Sequence, residues 1–356
     1  MKKRGISHIK RLTGAVSLLL AASVSAFALW SCTDERTMRD KVLYAMDTVI
    51  TFRLSGTSAD TDRAMEKCSR MIERTEKILS RTVEGSSCSE FNGHISEMYY
   101  PDETFLEVLS TALNVAKATD GAYDPTVAAL TDLWGINDPE VTAVPSDEKI
   151  GEALEHVGYE KIGISDLSVT KSDMELRVDL GGIGKGYACS QIIEYLKTTA
   201  LDYGIVSFGG NVGTFGIKSD GLEFRVGIRD PFEGDLNAAV VTVGEAYVSV
   251  SGSYERFKEI GGEKYHHIFD PETGRPAESG LVSAAVVTAD GALSDALSTA
   301  LFVMGPEKAM EFYKSGTYEF EAVLITESME MYITDGLDDS NFTYDSLKYT
   351  LKRNAD

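Results

Sequence analysis

The sequence predicts an α+β fold in which mixed sheets pack against helices. Three observations support this class. Apolar residues recur at helical spacing in several long segments, and short apolar strands bounded by Gly, Asp and Asn cluster between 204 and 250. These two kinds of segment do not alternate regularly along the chain, as they would in a doubly wound or barrel fold.

Apolar spacing and terminal residues mark the predicted helices and strands. Ser146 precedes two acidic residues, which is typical of a helix start, and Pro306 fits the first turn of a helix. The predicted helices span 60–80, 103–119, 146–156, 187–200, 292–304 and 306–314. The predicted strands span 42–54, 174–180 and 281–288, with several short strands over 204–250 and a hairpin over 319–333.

The first 31 residues have the pattern of an export signal. Five Lys or Arg residues precede an uncharged apolar stretch over 14–29, and the following Leu29-Trp30-Ser31-Cys32 resembles a bacterial lipobox except at Trp30. We expect cleavage before Cys32 and lipidation of Cys32, with residues 32–41 as a polar tether. The body would then be lipid-anchored in the bacterial cell envelope, facing the periplasm or the outside. An uncleaved N-terminal membrane anchor is the alternative.

The chain is strongly acidic, with 34 Lys and Arg against 56 Asp and Glu and a formal charge of −22. Loss of residues 1–31 removes five basic and no acidic residues, which leaves 29 against 56 and a charge of −27. Such a surface repels nucleic acid and anionic membranes, so we expect no nucleic-acid partner. A bound nucleotide requires local positive charge.

The remaining cysteines do not indicate zinc. Cys68, Cys88 and Cys189 lie far apart, without a Cys-x-x-Cys pair or a His/Cys cluster. Two alternatives remain open: Cys68 and Cys88 form a disulfide bond, or the cysteines are free buried thiols.

A glycine-rich segment over 178–188, Val-Asp-Leu-Gly-Gly-Ile-Gly-Lys-Gly-Tyr-Ala, lies between a predicted strand and a predicted helix. Glycines allow close approach of a ligand to the backbone, and a helix start and Lys185 supply positive charge. These are the parts of a phosphate site, although a tight turn alone would also explain them. Asp179 replaces the first glycine of a P-loop and Gly186 follows the lysine, so neither the P-loop nor the Rossmann pattern fits.

Two polar groups are further candidates. Asp295 and Thr299 are four residues apart on a predicted helix, so they share a face and offer oxygen ligands suited to Mg²⁺, although Asp295 could simply cap the helix. His266 and His267 precede a Pro/Gly-rich turn over 270–276, and at most one of two adjacent strand residues faces a given site. The turn alone is the alternative explanation.

Two more turn-forming segments could place backbone against a ligand. Gly121 and the Asp124-Pro125 pair end the helix predicted over 103–119. The segment 207–211, Ser-Phe-Gly-Gly-Asn, follows a predicted strand.

Taken together, these segments resemble the FAD:protein FMN transferase (ApbE) family in order and spacing, from about Tyr44 to about Gly336. The most specific matches are 179–188, 266–276 and 295–305. The resemblance implies an ApbE-like fold with the flavin site between two subdomains. It also implies a transferase domain over 42–336 and a C-terminal tail over 337–356.

The resemblance implies an activity and its partners. Family members move the FMN half of FAD onto a Thr or Ser hydroxyl of an acceptor protein through a phosphoester bond, require Mg²⁺ and release AMP. The acceptor would be an exported or membrane protein of a respiratory or redox complex. A Mg²⁺-dependent FAD pyrophosphatase giving FMN and AMP, and a non-catalytic flavin-binding lipoprotein, are the alternatives.

Site residues carry over from the family by position. The metal ligands fall on Asp295, Thr299 and the carbonyl of Gly182, with Ser298 where some members carry aspartate. His267 is the candidate base for the acceptor hydroxyl, and Lys185 should meet the pyrophosphate. Thr82 stands where relatives often have an aromatic residue, and Phe269 where they usually have an aliphatic one. The flavin contacts fall on Met46, Ala122, Tyr123, Asp124, Asp179, Lys185 and Phe269.

Overall fold

A computed structural model of the chain describes residues 35–94 and 98–353. These residues form seven α-helices and seventeen strands, which confirms the α+β class with mixed sheets. The helices are α1 Ser58–Leu79, α2 Ser87–Gly93, α3 Glu103–Ala118, α4 Ala128–Trp134, α5 Asp147–Leu154, α6 Gly184–Lys197 and α7 Gly291–Ser315. The strands are β1 Thr37–Ala45, β2 Thr48–Gly56, β3 Met98–Tyr99, β4 Ile162–Ser165, β5 Ser168–Lys171, β6 Tyr203–Phe208, β7 Asn211–Gly216, β8 Phe224–Arg229, β9 Asn237–Val243, β10 Tyr247–Gly252, β11 Phe257–Ile260, β12 Glu263–His266, β13 Leu281–Thr288, β14 Glu321–Thr326, β15 Glu330–Ile333, β16 Phe342–Tyr344 and β17 Thr350–Arg353.

One nine-stranded sheet organises the molecule, in the order β1-β2-β6-β7-β10-β13-β14-β15-β17. Its neighbouring strands pair antiparallel except β15 and β17, which are parallel. Smaller sheets have the orders β16-β9-β8, β3-β5-β4 and β11-β12. The strands predicted over 204–250, 281–288 and 319–333 all lie in these sheets.

Residues of β13 show how the central sheet is buried on both faces. Ala284 and Val286 belong to a core cluster shared with α3 and α7. Ala285, between them, belongs to another cluster shared with β8 and β9. Because alternate strand residues face opposite ways, helices cover one side of the sheet here and the β16-β9-β8 sheet covers the other.

Helix ends follow the capping residues in the sequence. Thr57, Ser86, Asp102, Ser146 and Asp290 each accept a hydrogen bond from a main-chain N–H of the first turn that follows. Within α7 the helical geometry is interrupted at one residue, where Gly305 has φ 78° and ψ 172°. A helix therefore ends near 304 and another begins with Pro306, as predicted.

The single strand predicted over 42–54 is a hairpin of β1 and β2. Met46 and Asp47 form its turn, with φ of 51° and 55°. A two-residue turn with both φ values positive matches the twist of a hairpin but normally uses Asn or Gly. Since this turn has neither residue, the sequence did not reveal it.

The strand predicted over 174–180 is wrong, because this segment is irregular. The main-chain N–H and C=O of Val178 bond to the Asn92 side chain at 2.7 and 2.8 Å, and the N–H of Asp179 donates to the Pro125 carbonyl at 2.7 Å. A side-chain amide thus replaces the neighbouring strand that an apolar run usually requires.

Both predicted terminal segments contribute strands. Residues 37–41, placed in the tether, begin β1, and the region 337–356, predicted as a tail, contains β16 and β17. Short strands with mixed polar residues carry too weak an alternation to be recognised in sequence. The predicted export signal and Cys32 lie outside the described residues.

Cys68, Cys88 and Cys189 are free and buried. Cys68 and Cys88 pack in different core clusters, so the free-thiol alternative holds. Within 35–94 and 98–353, no helix combines the length and the apolar character needed to cross a bilayer.

Candidate functional site

A cleft of about 1240 Å³ collects residues from the β1–β2 turn, the loop after α3, the glycine-rich segment, strands β8 to β10, the loop before β11, the segment after β12 and the start of α7. The structure brings most of the predicted site residues together here. The predicted residues that line the cleft are Met46, Ala122, Tyr123, Asp124, Asp179, Gly182, Lys185, His267, Phe269, Asp295 and Thr299. Ser298 is 0 % exposed and lies behind the wall.

The start of α6 is packed directly against α7. The N–H of Gly186 donates to Asp295 Oδ2 at 2.9 Å, so a carboxylate from α7 occupies one of the donors expected to be open for phosphate. A Cβ on Gly186 would lie 2.0 Å from the Gly291 carbonyl oxygen. Glycine at 186 is therefore required by helix contact, and this contact fixes the position of Asp295.

Lys185 brings positive charge to the start of α6. Its ammonium donates to the Gly181 carbonyl at 2.9 Å and lies 3.7 Å from Asp295 Oδ2. With both groups facing the cleft, the lysine is held where an anion can approach it. A carboxylate and an ammonium side by side also form a place where a cation and a phosphate can be bound together.

Three hydroxyl groups lie close together where β10 meets α7. Ser251 Oγ lies 3.2 Å from Thr299 Oγ1 and 2.8 Å from Ser298 Oγ, and Ser298 Oγ donates to the Asp295 carbonyl at 2.8 Å. A Cβ on Gly182 would stand 3.6 Å from Thr299 Oγ1, so these two residues adjoin.

This donor set fits a hard cation in part. No three His, Cys, Asp or Glu side chains of the described segments converge to hold a metal ion. Asp295 is the carboxylate, and hydroxyls of Ser251 and Thr299 with the Gly182 carbonyl would be neutral oxygen ligands. Mg²⁺ accepts such a set when one carboxylate is supplemented by substrate phosphates and water.

The loop after α3 is built around the buried carboxylate of Asp124. The carboxylate of Asp124 accepts from the N–H and Oγ1 of Thr126 at 2.8 and 2.6 Å and from the N–H of Tyr159 at 3.0 Å. Burial raises the pKa of Asp124 in spite of these bonds. Its carboxylate holds the loop in shape and presents Ala122 and Tyr123 to the cleft.

Tyr123 has a buried hydroxyl without a hydrogen-bond partner among the described residues. Burial, followed by the negative charges of Asp295 and Asp179, raises its pKa well above 10, so the hydroxyl stays protonated. Buried hydroxyls are nearly always paired. An unpaired donor in the cleft wall is therefore evidence for a ligand that accepts from it.

His267 is held in one orientation. Its Nδ1 lies 3.1 Å from the Arg256 carbonyl oxygen, which accepts only from a protonated nitrogen. Nε2 then carries the lone pair in the neutral ring. Burial lowers the pKa of His267 to about 4, so the ring is neutral and able to accept a proton at ordinary pH.

His267 lines the cleft and His266 does not, which agrees with the prediction that at most one of the two faces it. The Nε2 of His266 lies 3.1 Å from the Ala277 carbonyl oxygen, its Nδ1 accepts from the N–H of Ile268 at 3.2 Å, and its ring packs edge-on to Phe302. His266 is thus a structural residue that orders the turn after His267.

An aromatic wall closes another side of the cleft. Phe269 packs against Trp134, with ring centroids 6.2 Å apart, in a core cluster with Leu130 and Ile150. Met46 reaches the cleft from the β1–β2 turn, and its N–H donates to Glu76 Oε1 at 2.9 Å. Both side chains offer apolar surface for a ring system.

Sequence reasoning missed an ionic network at the cleft edge. Arg81 Nε lies 2.9 Å from Asp179 Oδ2, and Arg81 Nη1 lies 2.6 Å from Asp132 Oδ1, which places Arg81 beside the predicted flavin contact. Arg177 also bonds Asp132, at 2.5 Å. Arg81 directly precedes Thr82, which the comparison with relatives had already marked, and that neighbourhood was the available signal.

Other cleft residues were also missed or found only in part. Ser251, Glu255, Arg256 and Arg229 line the cleft, and nothing in their local sequence marks them. In the segment 207–211, only the two glycines reach the cleft, at 209 and 210. Thr82 lines it as well, where an aromatic residue was expected from relatives.

The model of the ApbE family matches residues 46–324. Among curated relatives, the FAD:protein FMN transferase of Escherichia coli (strain K12) is 33% identical over 254 residues, with 69% of this chain and 72% of the relative covered. That of Treponema pallidum (strain Nichols) is 34% identical over 269 residues, with 71% and 74% covered.

Solved structures show the same relationship. The ApbE protein of Thermotoga maritima superposes with a TM-score of 0.77 at 31% identity, covering 84% of this chain and 98% of that one. The flavin transferase ApbE of Vibrio cholerae gives 0.74 at 26% identity, covering 87% and 96%. Because the family model spans most of the chain, this chain belongs to the ApbE family.

Proposed function

We propose that this chain is an FAD:protein FMN transferase that joins the FMN moiety of FAD to a Thr or Ser hydroxyl of an acceptor protein and releases AMP. The curated relatives carry that name. The observation that carries the proposal is His267, a neutral imidazole fixed by the Arg256 carbonyl, in one cleft with Lys185 and Asp295.

The reaction is a phosphoryl transfer, in which positioning and charge neutralisation supply most of the rate. The acceptor oxygen attacks the phosphorus on the FMN side, and the bond from that phosphorus to the bridging oxygen breaks. The proton of the acceptor hydroxyl goes to His267 Nε2. The bridging oxygen leaves with AMP, whose phosphate gains a negative charge.

Each residue has a defined part in this scheme. Lys185 places positive charge beside the pyrophosphate, where a strongly acidic chain otherwise repels it. Tyr123 donates its unpaired hydroxyl to the bound dinucleotide. Phe269 and Met46 offer apolar surface to the flavin ring. Asp295, Thr299, Ser251 and the Gly182 carbonyl would hold Mg²⁺, which neutralises phosphate charge when bound.

The proposed cellular location of the enzyme rests on the sequence. Residues 1–32 have the export signal and lipobox pattern described above. We place the enzyme in the cell envelope, lipid-anchored through Cys32, where an exported or membrane flavoprotein of a redox complex is the acceptor. Replacing Cys32 with Ser should shift the protein from the membrane fraction to the soluble fraction, and unchanged membrane retention would contradict the lipid anchor.

The decisive experiment combines the lipid-free body, FAD, Mg²⁺ and a flavin-acceptor domain. We expect a covalently fluorescent acceptor and one AMP per flavin attached. A second incubation without acceptor separates the alternatives, because a pyrophosphatase releases FMN and AMP there at the same rate. Tight FAD binding without products under both conditions would instead indicate a flavin-binding protein.

A further inference from the structure

Among the described residues, four Lys or Arg side chains line the cleft, and they differ in whether a carboxylate already pairs with them. Arg81 bonds two carboxylates, Asp132 and Asp179. Lys185 lies beside Asp295. Arg229 and Arg256 have no carboxylate within 4.0 Å in the part of the chain that the structure describes, although nine acidic residues also line this cleft.

Arg256 is held from one side. One of its terminal nitrogens donates to the Asp47 carbonyl at 3.1 Å, and its own carbonyl accepts from the N–H and Nδ1 of His267. Neither contact is with a charged group. The guanidinium is therefore positioned at the β1–β2 turn beside the candidate base, with its charge unpaired.

Arg229 reaches the same region from the end of β8. The pairing of β8 with β9 shifts register between Ile228 and Arg229, where a bulge on β9 leaves Ala238 unpaired. Such bulges redirect side chains next to functional sites. Arg225, on the same strand, is exposed and does not line the cleft.

The basic residues reach the cleft from different parts of the fold. Lys185 comes from α6, Arg229 from β8 and Arg256 from the loop between β10 and β11, and all three line the same cleft. In a chain with a net charge of −22, such a convergence of positive charge calls for an anionic ligand.

We propose that Arg229 and Arg256 form a second anion subsite, which binds the phosphate of the departing AMP. This assignment rests on the proposed function. Lys185 and the Asp295 group serve the phosphorus that is attacked, so the arginines remain for the other phosphate. That phosphate changes from one to two negative charges when the bond breaks, and guanidinium groups bind phosphate oxygens in bidentate fashion.

The test measures binding of AMP, adenosine and FMN to the flavin-free protein by calorimetry at fixed Mg²⁺. We expect R229Q and R256Q each to weaken AMP binding about 10-fold to 100-fold, the range for a hydrogen bond to a charged group. Adenosine has no phosphate, so its affinity should stay unchanged and report that the variants are folded. R225Q is the matched control and should bind AMP as the wild type does.

The outcomes separate this proposal from the proposed function. If R229Q/R256Q keeps the wild-type ratio of AMP to adenosine affinity, the subsite does not exist. If FMN binding weakens and AMP binding does not, the assignment to the leaving phosphate is wrong. A wild type that prefers AMP through these arginines but transfers no flavin supports the subsite and refutes the transferase. Should R256Q be unfolded, R229Q alone decides.

Discussion

Replacing Gly186 with Ala tests the helix contact that positions Asp295. The new Cβ would stand 2.0 Å from the Gly291 carbonyl oxygen and 2.6 Å from Asp295 Cβ. A carbon and a carbonyl oxygen normally approach no closer than about 3.3 Å, so α6 and α7 must separate by about 1 Å. No rotamer change relieves this contact, because the obstructing oxygen belongs to the main chain.

The expected magnitude follows from three contributions. Overpacking costs about 1–3 kcal/mol. Weakening the bond from the Gly186 N–H to the Asp295 carboxylate costs about 1.5–3 kcal/mol, and alanine returns about 1 kcal/mol of helix propensity. We therefore expect the free energy of unfolding to fall by about 1.5–5 kcal/mol, with a loss of Mg²⁺-dependent FAD binding.

Urea denaturation and FAD titration of the same variant are the assays. Gly151 is the control, because it lies in α5 with no atom within 4 Å of an added Cβ. Gly151→Ala should raise stability by about 0.5–1 kcal/mol and leave FAD binding unchanged. If Gly186→Ala behaves like Gly151→Ala, the close helix contact does not position the site.

Three further predictions concern the base, the metal and the cleft wall. Because burial lowers the pKa of His267 to about 4, kcat/KM for FAD should stay level from neutral pH to about 5 and decline below 4. A decline centred near 6.5 would contradict the buried neutral ring. Asp295→Asn should reduce the rate of flavin transfer by about 10²-fold or more and abolish its Mg²⁺ dependence. Ser298→Ala, at a buried residue that does not line the cleft, should change neither. Equal loss in both variants would place Ser298 at the ion. Lys258 donates to the carbonyls of Gly135, Asp138 and Val141, the last at 2.8 Å, and so holds the segment 135–141 at the side of the cleft. Lys258→Met should loosen this segment and raise KM for FAD with the pH profile unchanged. An unaltered KM would show that the segment keeps its place without Lys258.

The sequence was most informative where chemistry and local structure coincide. The segment 178–188 contains the glycines, lysine and helix start in a row, and Asp295 with Thr299 lies one helical turn apart. Such groups can be read along the chain. Arg229 and Arg256 are brought to the cleft by strand pairing and turns between distant segments, which local patterns do not encode.

Two errors show where local reading fails for physical reasons. The apolar run before Asp179 looked like a strand, but the Asn92 side chain, distant in sequence, takes its main-chain hydrogen bonds. The hairpin at 46–47 was read as one strand because neither turn residue is Asn or Gly. In the first case a tertiary contact overrode a local preference, and in the second the turn used residues that seldom adopt positive φ.

The strand order has a consequence for how the protein is made. β1 and β17, from opposite ends of the described chain, form the two edges of the nine-stranded sheet. β16 also pairs with β9, and the Tyr349 hydroxyl donates to the buried Asp230 at 2.8 Å, so the final residues secure the loop between β8 and β9 at the cleft. Nearly the entire polypeptide must therefore be synthesised before all nine strands of the sheet can pair. Until β17 is synthesised, the edge of β15 is unpaired, and nascent chains can associate with one another through it.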